Sequence, residues 1–465
     1  MAKLTSLFAQ QDMTVGTPWK KIAAFAAPLL VGNIAQQLYN TADSIIVGKY
    51  VGDNALAAVG GSGPLINLMI VLMVGIATGA GIMVAQYYGA RRAEDLAQSV
   101  GTALTLTLCA SILLMIVGTI LVGPMLRLMD TPAETFEMCR SYLRVMFLGV
   151  AGMAYYNILA GILRGLGDSL SALKYLVIAT VLNVFLDLLF VAKFDLAVMG
   201  VAIATVMAQC FSAVLAFRKL LRMRDIMHLQ ARHFKLKKAY ALQLVRLGMP
   251  SGLAQAVMSA SALIVQSLTN SFGAAIVACN TIVMRIDGFV MMPNFTFGNS
   301  MTTYTGQNIG ARRMDRVEQG IRSGLKMAIG TAAVLVAAIL LFGRQIMHLF
   351  TNTQSIIDTS MRMMTIVAAG YVAFAVTQTL SGVMRGAGDT TAPMWVSFIT
   401  TLGIRLPLAY LFAYLTRSPE YPTGRPESLY LSLLCSWCMG ALMTIIVFRR
   451  GKWRKKSKMA DEEKE

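Results

Sequence analysis

Three aspartates, Asp43, Asp187 and Asp287, sit well inside apolar runs, while all nine glutamates (94, 134, 137, 318, 420, 427, 462, 463 and 465) fall in loops, span ends or the tail. An ionisable side chain at the centre of a bilayer costs about 2.5–3.5 kcal/mol on insertion scales and marks an ion or substrate path by default. Asp187 has company. In "TVLNVFLDLLF" Asn183 precedes it by four residues, so the two share one helical face, one turn apart. The next apolar run, "GVAIATVMAQ", carries the hydroxyl of Thr205. Carboxylates, an amide carbonyl and a hydroxyl are all oxygen donors, a set that suits a hard cation such as Na⁺ and equally suits proton binding. Spacing alone joins only Asn183 to Asp187; it does not bring Asp43 or Thr205 to them.

The elements around these residues are built for lipid. The 465-residue chain is 56% hydrophobic and only 14% charged, against roughly 25% charged in soluble domains. Twelve apolar runs long enough to cross a ~30 Å hydrocarbon core are expected at 18–47, 54–86, 96–124, 136–163, 169–192, 197–217, 240–270, 275–307, 320–346, 357–383, 390–416 and 428–448. No alternating barrel-type segments occur. The net charge of +18 gathers in every second loop, in "GARRAED", "FRKLLRMRDIMHLQARHFKLKK", "GARRMDR" and "FRRGKWRKKSK". That is the positive-inside pattern. It implies contact with anionic lipid rather than nucleic acid, a cytoplasmic membrane location and both termini in the cytoplasm. The polar start "MAKLTSLFAQQDMTVGTPWKK" has no cleavable apolar core, so no signal peptide is expected. The six cysteines, "CSWC" at 435–438 included, read as small apolar helix residues.

The chain is also written twice. "GARR" begins at 89 and 310, and "RG-x-GD" at 164 and 385, both offsets being 221. Gln86 and Gln307, Gln98 and Gln319, and Ala57 and Ala278 keep the same offset; Pro28 and Pro250 differ by one. The expected organisation is a cytoplasmic segment 1–17, a six-helix lobe 18–217, a basic linker 218–239, a second six-helix lobe 240–448 and a charged tail 449–465. Six spans per copy is even, so the copies are parallel repeats, as in secondary transporters. At the offset of 221, Asp187 corresponds to Leu408 and Asp43 to Ile264 or Val265. The oxygen-rich set therefore belongs to the first copy. The second carries Arg285 and Asp287 two residues apart in "VMRIDGFVMMP", read as a structural ion pair, and an isolated Arg405 in "LGIRLPL".

In "QQLYNTADSIIVG", the paired "GARR" and "RG-x-GD" loops, and "LNVFLDLLF" followed by "GVAIATVMAQ", the chain resembles the multidrug and toxic compound extrusion (MATE) family over about 15–450. The resemblance implies an all-α polytopic fold of two six-helix lobes in a V. It also implies a secondary antiporter that exports amphipathic cationic drugs in exchange for Na⁺ or H⁺, with no cofactor and no enzymatic activity. The family's first-lobe ion site maps onto Asp43, Asn183, Asp187 and Thr205, which would hold Na⁺ if the coupling ion is sodium. A glutamate that one branch places eight residues after the seventh-helix proline is Met258 here, a departure from that pattern. Gln36, Gln37, Tyr39, Asn40, Gln255, Gln266 and Asn270 are candidates for substrate contact. Asp168 and Asp389, at the ends of spans, read as helix caps. The alternative of a lipid or lipid-linked saccharide flippase would call for a cationic cavity, and few arginines lie deep in the spans. An enzyme would call for buried His or Glu, and His228, His233 and His348 all lie at span ends or in loops. The small residues of "GIATGAGIM" allow close helix contact within or between protomers; the oligomeric state stays open and a monomer is compatible with the reading.

Overall fold

The computed structural model describes residues 10–194, 196–419 and 421–454. The N-terminal segment is thus described from Gln10 and the tail to Arg454; the remainder of both expected segments, with Glu420 and the last three glutamates, lies outside the described residues. Among these the chain is helical without strands. Among the described residues eleven helices are long and apolar enough to cross a membrane, and a bent pair, taken as one span, makes a twelfth. The protein is a multi-pass α-helical membrane protein.

The helices are α1 (Pro18–Tyr50), α2 (Asp53–Gly61), α3 (Gly63–Gly89), α4 (Ala93–Leu128), α5 (Ala133–Leu148), α6 (Val150–Gly165), α7 (Ser169–Asp187) and α8 (Ala197–Arg222) in the first half. The second half holds α9 (Lys238–Ser271), α10 (Ala274–Gly310), α11 (Met314–His348), α12 (Gln354–Gly386), α13 (Thr391–Phe398), α14 (Leu406–Leu415) and α15 (Glu427–Arg449). Two of the expected spans break or bend sharply. The second breaks at Ser62, just before Pro64, and the fourth bends by 52° at Gly149 between α5 and α6. Wide π turns occupy Leu188–Lys193 after α7 and Ile399–Arg405 between α13 and α14. Such turns interrupt the regular i→i−4 ladder and frequently accompany functional positions.

The chain divides into two compact units. Among the described residues one comprises 10–12 and 27–252, the other 13–26 and 253–454. The divisions fall beside Pro28 in α1 and Pro250 in α9, inside helices rather than in the basic segment at 218–239 where the sequence suggests a linker. Glycine contacts explain why the start of α9 belongs to the first unit. A Cβ on Gly79 would stand 2.6 Å from the Leu244 carbonyl oxygen, and one on Gly248 would stand 2.5 Å from that of Gly75.

The first unit buries two apolar clusters, one around Ile82, Leu159 and Leu163, the other around Met69, Leu143 and Val150. The basic segment is docked rather than loose: Gln98 Nε2 donates to the carbonyls of His233 and Lys235, each at 3.1 Å, and Thr105 Oγ1 donates to that of Phe234 at 2.7 Å. In the second unit the core gathers on Tyr371, Met363 and Val367. There the N-terminal Met13 is fully buried; its N–H donates to Gln307 Oε1 (2.9 Å), and its carbonyl accepts from Asn308 Nδ2 and Arg316 Nη2, both 3.1 Å.

Duplication extends to individual contacts. In the first unit a Cβ on Gly161 would lie 2.6 Å from the Ala77 oxygen, and one on Gly165 2.6 Å from that of Gly81. In the second, the same test puts Gly382 2.2 Å from Gly298 and Gly386 2.4 Å from Thr302. All four pairs of residues keep the 221 offset, so each unit crosses the same two helices backbone to backbone. The loop aspartates act as caps: Asp168 accepts from the Ser171 N–H at 2.9 Å and Asp389 from that of Ala392 at 3.4 Å.

Candidate functional site

Within the first unit the polar residues of α1, α7 and α8 converge. Asn183 and Asp187 occupy the last turn of α7 and are fully buried, and Asp187 stands where the ladder widens into the π turn. Thr205 arrives from α8, whose buried Gly200, Ala202, Ala204 and Ala208 keep that face small enough for close packing. Asp43 comes from α1 and is half-buried. Its carboxyl group lies within hydrogen-bonding reach of that of Asp187.

Asn183 links the set. With its amide nitrogen turned toward the acids it donates to Asp43 Oδ1 at 2.8 Å and Asp187 Oδ2 at 3.1 Å, while its oxygen accepts from the Thr205 N–H at 3.3 Å. Tyr39, one turn before Asp43, is buried and its hydroxyl donates to Thr205 Oγ1 at 3.2 Å. Asp187 Oδ1 is enclosed without a hydrogen-bond partner. Tyr142 of α5 completes the surroundings, within electrostatic reach of both aspartates.

Two carboxyl groups in contact cannot both stay bare and unscreened in a low-dielectric interior. A proton or a small cation between them satisfies the arrangement. The donors are oxygen atoms from two acids, an amide and a hydroxyl, a hard-cation set without the thiolate or imidazole groups that transition metals favour. No cluster of three or more His, Cys, Asp or Glu occurs among the described residues.

The other candidates distribute differently. Tyr39 belongs to the acidic cluster and not simply to a substrate-facing surface. Gln36 and Asn40 are exposed and Gln37 is half-buried on α1; Gln255 and Asn270 are exposed and Gln266 is half-buried on α9, with Gln266 Nε2 donating to Asn270 Oδ1 at 2.9 Å. The expected Arg285–Asp287 ion pair is corrected. Positions two apart project to different sides of a helix, so Arg285 is exposed while Asp287 points inward and accepts from the Tyr371 hydroxyl at 2.8 Å. Asp287 interacts electrostatically with Arg405, which the sequence left isolated. Tyr142 was not singled out by sequence; a tyrosine in a half-polar helix carries no signal until the neighbouring helices are placed.

A helical membrane protein of eleven or twelve spans, with paired units and enclosed carboxyl groups, has the architecture of a transporter. The family model MatE matches residues 28–189 and again 250–411, one match per half, the first beginning at Pro28 and the second at Pro250. The "Probable multidrug resistance protein YoeA" of Bacillus subtilis is 30% identical over 425 residues, covering 90% of this chain and 92% of that protein. "Multidrug resistance protein PmpM" of Pseudomonas aeruginosa is 26% identical, covering 94% and 92%. A solved structure described as the outward-facing conformation of a multidrug resistance MATE family transporter superposes with a TM-score of 0.87 at 26% identity, over 96% of this chain and 98% of that one. A crystal structure of a MATE protein in complex with MaL6 gives 0.88 at 25% identity, with the same coverages. The chain belongs to the MATE family of multidrug efflux transporters.

Proposed function

We propose that the protein is an antiporter of the cytoplasmic membrane that exports amphipathic, cationic compounds in exchange for Na⁺ or H⁺, with Asp43, Asn183, Asp187 and Thr205 as its coupling site. The observation that carries this reading is the convergence of the Asp43 and Asp187 carboxyl groups on the one Asn183 amide, at 2.8 and 3.1 Å, among apolar helices. Such a pair is costly unless a positive charge moves through it.

In this reading the Asn183 amide bridges the two acids and holds them together at the site. Filling the site removes negative charge from the first unit and weakens its attraction for a cationic substrate, which gives the exchange its sign. An ion shifts a conformational equilibrium only by its differential affinity for the two states. Pro28 lies in α1 fifteen residues before Asp43 and offers that helix a place to bend. Both termini face the cytoplasm, as the loop charges suggest.

The test is ethidium efflux from cells lacking their own pumps, under an imposed Na⁺ gradient and then a pH gradient. Efflux driven by one gradient, and lost in Asp43→Asn with protein still in the membrane, is the expected result and names the ion. Unimpaired ion-driven efflux in Asp43→Asn sinks the coupling site. No efflux by the wild type under either gradient rejects the cationic-drug substrate.

A further inference from the structure

The second unit carries a half-buried charge cluster of opposite character. Arg405 lies in the interior of the Thr391–Leu415 span, and its Nε is enclosed with no hydrogen-bond partner. Among the described residues no carboxylate stands within 4.0 Å of its guanidinium. Asp287 is near enough to interact electrostatically, as is Tyr430, but each is engaged elsewhere. Tyr371 donates to Asp287 Oδ1 at 2.8 Å, and Tyr430 donates to Asn280 Oδ1 at 2.6 Å. A half-buried guanidinium inside a membrane span, its Nε enclosed without a partner, is costly and calls for one.

Local structure holds the arginine there. Arg405 ends the π turn Ile399–Arg405, and Pro407, which has no N–H, follows two residues later. The turn is pinned by Ser436 Oγ donating to the Thr400 carbonyl at 2.8 Å. In the first unit the corresponding span also breaks into a π turn, next to Asp187. At the 221 offset Arg405 aligns with Val184, beside Asn183. The duplicated helices thus place carboxyl groups at this level in one unit and a guanidinium in the other.

We propose that Arg405 is the centre of an anion site in the second unit that takes the carboxylate of an amphipathic substrate, with Tyr430 beside it and Asp287 as its distant counter-charge. A planar guanidinium matches a carboxylate through paired N–H donors. One arginine balanced by one aspartate suits a single negative charge, not a diphosphate. Substrates would then include zwitterions as well as cations. The word substrate rests on the antiporter reading; the anion site itself does not.

The test measures binding to protein in nanodiscs of three probes: norfloxacin, which bears an ammonium and a carboxylate, its methyl ester, and ethidium. The wild type is expected to bind the acid about tenfold or more tighter than the ester. Arg405→Gln should abolish that difference and leave the ester unchanged. Asp287→Asn, which keeps an acceptor for Tyr371 but removes the competing charge, should tighten acid binding severalfold, a gain that misfolding cannot produce. Equal binding of acid and ester, an equal loss of both in Arg405→Gln, weaker acid binding in Asp287→Asn, or no binding of the acid each overturns the site. Binding of the acid with no binding of ethidium or the ester retains the site and rejects the cationic-drug reading.

Discussion

Tyr39 reaches the paired acids through one hydroxyl, that of Thr205, and this makes its contribution separable from theirs. Tyr39→Phe deletes a single neutral hydrogen bond, worth about 0.5–1.5 kcal/mol net. The half-saturating ion concentration for efflux should rise by up to about tenfold with maximal efflux retained. Thr205→Ala removes an oxygen donor and should raise it further. An unaltered half-saturating concentration in both would detach Thr205 from the ion. Asp43, Asn183 and Asp187 were legible in sequence because charged and amide groups stand out from apolar runs, and because four-residue spacing shares a face. Tyr142 was not, since its meaning arises only from which helices pack against α5. Arg285 and Asp287 misled for a related reason: adjacency in sequence suggested a pair, whereas the helix turns one outward and gives the other to Tyr371.

Helix crossings are where the duplication can be tested as structure. Gly382 meets the Gly298 carbonyl at a distance that leaves no space for a methyl group, and Gly161 meets Ala77 in the same way. Gly382→Ala and Gly161→Ala should each destabilise by about 1–3 kcal/mol, through forced separation of the helices. Gly288→Ala, where a Cβ meets nothing within 4 Å, should be neutral or stabilising by about 0.5–1 kcal/mol. Thermal unfolding in detergent compares the three; equal behaviour of Gly382→Ala and Gly288→Ala would refute backbone contact at the crossing. Apolar length announced the spans themselves, and the 221 offset announced their repetition. The π turns beside Asp187 and Arg405 were illegible, because a widened turn leaves no compositional mark. The passage of α1 and α9 from one compact unit to the other was equally hidden: a helix pattern continues through Pro28 and Pro250 without showing which neighbours each half packs on.

For the whole molecule, antiport is a statement about coupling free energy, and it carries an obligation that does not depend on the conformations involved. If the ion bound at Asp43 and Asp187 weakens a cationic substrate by some factor, the substrate must weaken the ion by the same factor. Typical couplings of 1–3 kcal/mol correspond to about 5–150-fold. Ethidium affinity in nanodiscs should therefore fall by such a factor as the coupling ion saturates, and the ion's half-saturating concentration should rise equally as ethidium saturates. Asp43→Asn should hold ethidium affinity near the lower, ion-saturated level and blunt its response to the ion, because one of the two charges that the ion neutralises is already gone. A substrate that binds equally with and without the ion could draw no work from its gradient, however tightly either one binds. Ethidium affinity independent of both Na⁺ and pH in the wild type would therefore exclude exchange at this site, even if the purified protein bound the drug well.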